Sequence, residues 1–166
     1  LVTFNGRGSD IPLLVARVMH HGMVAPDFVR GIGLAYRFKQ ETQLDLYDVL
    51  GNYGAQRSGG LDDWARCVGW PGKGDVDGGH VAAMIADGKR AEVDAYCLCD
   101  AVQTAAVLLR YELTVGDISV DTFGTLGRML VDAASADQRT AELVVKMDGS
   151  FLRPWPGMVE AVAAAE

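Results

Sequence analysis

The segment from Lys89 to Leu113 is the longest helix the sequence predicts, and it limits what the rest of the chain can become. Val93, Cys97, Ala101, Thr104, Leu108 and Tyr111 recur at steps of three and four, the period of a helix with one face turned inward. Such a face must be covered by other parts of the chain. Asp100 sits beside that stripe, where a carboxylate is costly unless it is paired, hydrogen-bonded or metal-bound. Tyr96 stands one turn before it, so the two side chains project from the same side of the helix and can serve one site.

The N-terminal stretch LVTFNGRGSDIPLL raises a second question about an acid. Leu1 to Phe4 read as a buried strand and NGRGS as a loop. Ser9 or Asp10 then caps a helix with Pro12 in its first turn, running to about His21 and ending at Gly22. Taken alone, Asp10 is a first-turn acid favoured by the helix dipole. Met23 to Thr42 form a connection of low periodicity with a short helix after Pro26. QLDLYDVLGNYG is a strand turning into a helix, stopped at NYG. Asp45 and Asp48 are expected there to cap the helix or face solvent. LDDWARCVGW and HVAAMIADG are short helices separated by the loop PGKGDVDGG.

The 166 residues, 49% of them hydrophobic, suffice for one domain core, and no apolar run approaches the roughly 20 residues of a membrane-spanning helix. No secretion signal is present, so the expected compartment is the cytoplasm. Cys67, Cys97 and Cys99 are odd in number and suit reduced thiols. A net charge of −7 argues against a broad nucleic-acid-coating surface. It leaves room for a narrow site in which carboxylates hold cations and the metal supplies the positive charge.

The YCLCD and FNGRGSD segments make the chain recognisable. The first resembles the third motif, Tyr-x-x-x-Asp, of the DEDDy 3′–5′ exonucleases, and the second resembles their second motif, an Asn a few positions before an Asp that opens a helix. The intervening LDLYDVLGNYGAQRSGGLDDWARCVGWPGKGDVDGGHV is similar to the predicted exonucleases related to the exonuclease domain of family-B DNA polymerases. The similarity covers about Val2 to Leu113 and fades after Gly116. It implies an α/β, ribonuclease-H-like fold, helix-rich in this chain and truncated at its N-terminus.

The resemblance also implies roles. Asp10 and Asp100 match metal ligands for two divalent cations, Mg²⁺ or Mn²⁺, and Tyr96 matches the residue that orients the attacking water. Asn5 matches a residue shaping the substrate side of the cleft, with Phe4, Gly6 and Arg7 beside it. Hard cations prefer such oxygen donors, and a phenol, with a reference pKa near ~10, is a hydrogen-bond positioner rather than a strong base. Two departures stand out. Ser9 occupies a place where the family carries an aromatic residue, and the first motif, Asp-x-Glu, occurs nowhere in the sequence. A chain without it would bind the ions poorly and leave strand edges open to self-association.

Other signals are weaker. GKGDVDGG lacks the pattern of a phosphate loop and DVDGG the spacing of a calcium loop. Arg7, Arg57 and Lys73 can position phosphates; His80 reads as a helix-start residue. Residues 116–166 are expected to add an amphipathic helix, a DG hairpin and an extended Pro154-Trp155-Pro156 segment as a cap on an exonuclease-like domain of residues 1–115. The resemblance thus implies a metal-dependent 3′–5′ exonuclease acting on the 3′ end of single-stranded DNA, with RNA the other substrate it allows and no membrane partner. The alternative is a catalytically inactive exonuclease-like module for nucleic-acid binding or assembly.

Overall fold

Short strands, glycine-bounded turns and one long helix give a helix-rich α/β arrangement. The computed structural model describes residues 1–38, 40–72 and 81–153. Two compact units divide the chain, Leu1–Leu61 and Asp62–Glu166. Lys73, Asp75 and His80, most of the PGKGDVDGG loop and the Pro154-Trp155-Pro156 segment lie outside the described residues.

The N-terminal unit is built on two short parallel strands, β1 (Val2–Thr3) and β2 (Leu44–Asp45), in the register Val2 to Leu44 and Thr3 to Asp45. Parallel neighbours need a crossover. Here α1 (Asp10–His20), α2 (Pro26–Phe28) and a π-helical turn at Val29–Gly33 supply it. α1 buries Ile11 and half-buries Val15 and Val18, one helical face, against that turn. β2 passes directly into α3 (Leu46–Leu50), followed by a 3₁₀ turn at Asn52–Gly54.

α4 (Leu61–Cys67) opens on the last residue of the N-terminal unit, and the C-terminal unit holds the rest of it with α5 (Val81–Ala86), α6 (Arg90–Val115), α7 (Val120–Ala136) and α8 (Ala141–Val145), and a 3₁₀ turn at Ser150–Leu152. α6 stops at Gly116, whose φ of 84° lies in the left-handed region that glycine occupies without strain, and the Asp117 amide closes back onto the Glu112 carbonyl. Ser119 then caps α7 by accepting from the Thr122 amide at 3.1 Å. The packed pair α6 and α7 carries the core, which α8 and the final 3₁₀ turn complete. Trp70 meets Phe151 edge-on at 5.1 Å and Phe123 meets Phe151 at 5.6 Å, all three fully buried.

Two expectations change. The inward face of α6 is Val93, Gln103, Ala106, Val107, Arg110 and Leu113, while Cys97 and Ala101 are exposed. The reason is two polar residues that hydropathy places outside. Gln103 donates to the Pro71 carbonyl at 3.4 Å, and Arg110 donates to the Phe151 carbonyl at 2.6 Å with its guanidinium 4.6 Å from the Phe123 ring. Burial pushes the Arg110 pKa below its ordinary value. The expected hairpin about Asp148-Gly149 is instead α8 and a 3₁₀ turn, because Leu143 and Phe151 are drawn into the core of this unit.

Removing the central ring tests this core. Phe151→Ala should cost about 3–5 kcal/mol, the range for deleting a buried aromatic ring. Urea unfolding followed by circular dichroism should show a lower midpoint, with the loss concentrated in the C-terminal unit.

Candidate functional site

The NGRG loop between β1 and α1 is held by a carboxylate from the other strand. Asp45 accepts from the Asn5 amide at 2.7 Å, from the Arg7 amide at 2.8 Å and from the Tyr47 amide at 3.1 Å. Two of these bonds tie down the loop and the third caps α3. Asp45 is 3% exposed, so its charge is satisfied almost wholly by backbone N–H groups. The loop is tight enough to demand its glycines: a Cβ at Gly6 would stand 2.6 Å from Thr3, and one at Gly8 2.6 Å from the Asn5 side-chain oxygen. Asn5 takes a left-handed φ of 61°, which asparagine tolerates better than most residues.

This loop delivers Asp10 to the mouth of α1. Ser9 occupies the cap position, but its hydroxyl donates back to the Asn5 carbonyl at 3.0 Å rather than capping the helix. The Asp10 side chain is exposed. Phe4 packs edge-on against Tyr47, with ring centroids 5.8 Å apart.

Arg7, expected beside the substrate, is tied into the unit by its guanidinium. It donates to the Gln43 carbonyl at 2.9 Å and the Ala35 carbonyl at 3.4 Å, and lies 3.6 Å from Asp48. Asp48 also pairs with Arg37, so one carboxylate sits between two guanidiniums. Asp45 therefore caps as the sequence suggested. Asp48 does not face solvent: it is 9% exposed, because the two arginines draw it inward. These residues border a cleft of about 480 Å³ within the N-terminal unit, lined among others by Asn5, Arg7, Ile11, Gln43 and Asp48. Gln43 is 1% exposed, and its carboxamide has no hydrogen-bond partner among the described residues. The sequence gives no sign of Gln43 or Arg37; only the fold gathers them.

Tyr96 and Asp100 lie one turn apart on α6 in the C-terminal unit, both half-buried. The Asp100 backbone carbonyl accepts from the Thr104 hydroxyl at 2.8 Å. Next door, burial pushes the Cys99 thiol pKa up, and the negative charges of Asp100 and Asp137 push it further. Such a thiol is a poor nucleophile at neutral pH, and all three cysteines are free. Among the described residues, no three His, Cys, Asp or Glu side chains gather into a group that could hold a metal ion. Among them too, no helix is long and apolar enough to cross a membrane.

With that geometry in place, comparison with known proteins defines the class. Residues 1–148 match a family described as a predicted 3′–5′ exonuclease related to the exonuclease domain of PolB. The chain belongs to that family. No curated protein and no solved structure matches it.

Two outcomes follow. Asp45→Ala should speed hydrogen exchange at the Asn5 and Arg7 amides and destabilise the N-terminal unit by about 2–3 kcal/mol, since buried donors lose a charged acceptor. Iodoacetamide at neutral pH should label Cys67 and Cys97 before Cys99, whose labelling should rise only as pH passes above the ordinary thiol range, as peptide mass spectrometry will show.

Proposed function

We propose that the chain acts as a 3′–5′ exonuclease on the 3′ end of single-stranded DNA, on a ribonuclease-H-like fold, with RNA as the alternative substrate. The family match over residues 1–148 carries this reading. The local geometry supports it in three places. Asp10 stands exposed at the mouth of a helix behind a rigid loop, Asn5 and Arg7 border a cleft, and Tyr96 and Asp100 share one face of α6.

The cofactors proposed are two divalent cations, Mg²⁺ or Mn²⁺. The donors on hand match such ions in kind, being hard carboxylate oxygens. They fall short in number: Asp10 and Asp100 are half of the family's four carboxylates, and no Asp-x-Glu occurs in the sequence. When bound, the ions supply charge neutralisation at the attacking and leaving oxygens. The remaining work falls to this chain's own side chains. On α6 the Tyr96 hydroxyl is the group suited to orient a water. In the N-terminal unit Asn5, fixed by the Asp45 clamp, lines the cleft proposed for the terminal nucleotide, with Phe4 and Gly6 as its chain neighbours.

The alternative reading is an exonuclease-like module that holds nucleic acid without cutting it. A 5′-labelled oligonucleotide incubated with Mn²⁺ separates the two. The enzyme should release mononucleotides stepwise from the 3′ end. Asp10→Ala and Asp100→Ala should each lower the rate roughly 10²–10³-fold, as loss of a charge-stabilising group does. Tyr96→Phe should lower it about 10- to 100-fold with an unchanged melting curve. No release by the parent protein favours the binding module.

A further inference from the structure

Two exposed rings, Tyr36 and Phe38, collect on the N-terminal unit with the half-buried Tyr53 and with Arg37, the partner of Asp48. Tyr36 and Phe38 are 70% and 50% exposed, although large apolar rings gain most from burial. Their centroids are 5.3 Å apart, and Phe38 lies 4.5 Å from Tyr53, which comes from a separate turn. The Arg37 guanidinium lies 5.8 Å from the Phe38 ring and 6.0 Å from the Tyr53 ring. That turn is strained: Asn52 and Tyr53 both take positive φ, 47° and 54°, and neither is glycine. The Tyr53 hydroxyl is fixed by a 2.6 Å bond from the Gln40 side chain. Backbone strain is thus spent on holding the half-buried Tyr53 ring against the exposed Phe38.

We propose that Tyr36, Phe38 and Tyr53, with Arg37 among them, form a stacking platform for the unpaired bases of a single-stranded nucleic acid. Exposed aromatic faces interleaved with a guanidinium are the chemistry that holds unstacked bases, whatever their sequence. Charge agrees. Residues 1–61 carry six Lys or Arg and five Asp or Glu, a net of +1, against nine and seventeen, a net of −8, in the rest of the chain. The platform also adjoins the cleft, because Arg37 and Ala35 line it and Arg37 pairs with Asp48 on its wall. A strand whose end enters the cleft would lay its preceding bases on these rings. The inference rests on the proposed nuclease reading for the identity of the ligand, and on the rings for its place.

Fluorescence anisotropy in EDTA, where no cleavage occurs, tests it with the intact chain. Labelled oligo-dT is compared with an abasic oligomer of equal length, which keeps the phosphates and removes the bases. The protein should prefer the base-bearing strand roughly tenfold, and oligo-rU should show the same preference because stacking ignores the sugar. Tyr36→Ala and Phe38→Ala should abolish the preference. Tyr36→Leu, which keeps the bulk without the π face, should do the same, whereas Tyr36→Trp should restore it. Equal affinity for natural and abasic strands, no binding of either, or a preference surviving in Tyr36→Ala and Tyr36→Leu overturns the platform. A protein that degrades DNA yet binds both strands alike loses the platform and keeps the nuclease. One that shows the preference without degrading DNA keeps the platform and loses the nuclease.

Discussion

Three backbone amides sharing one carboxylate organise the N-terminal unit. Asp45 sits on β2, and its acceptors hold the amides of a loop leaving β1, so the two strands and the loop are locked to one another. The third bond starts α3. A charged acceptor buried among N–H donors is stable only with all its partners in place. The position of Asp10, the left-handed Asn5 and the close-packed Gly6 and Gly8 all depend on that arrangement.

The C-terminal unit relies on different physics. Its core joins a T-shaped aromatic group to a buried guanidinium, which donates to the Phe151 carbonyl and rests on the Phe123 ring. Burying Arg110 carries a desolvation cost, offset by that bond and by the ring face. The arrangement links α6 and α7 to the segment that returns after α8. It explains why Tyr96 and Asp100 sit on a helix whose far half is anchored firmly.

Much was legible from local pattern. The strand before NGRG, the helix opening at Asp10, the strand-to-helix passage at Leu44–Leu50 and the long helix are all expected, with boundaries moved by only a few residues, but the strand is not the buried one expected, since Leu1 and Val2 are 57% and 37% exposed. Periodicity and capping are local, and local signals survive folding. The differences come from contacts that hydropathy does not record. The inward face of α6 is turned because Gln103 and Arg110 are polar yet buried, and Asp48 is drawn in by arginines that lie 41 and 11 positions away in sequence. Asp148-Gly149 leads into a 3₁₀ turn rather than a hairpin because Phe151 is buried in the core.

By itself the sequence determined the helices and the glycine-bounded loop, because each is written in neighbouring residues, and its match over residues 1–148 places the chain in its exonuclease family. Tertiary structure decided which polar groups are buried and with whom: Asp45 against the loop amides, Asp48 between two arginines, Arg110 over Phe123. It also decided that Tyr36, Phe38 and Tyr53 meet at the surface. Pairings of that kind join residues far apart in the chain, and only the folded backbone brings them within reach of a hydrogen bond or a ring face.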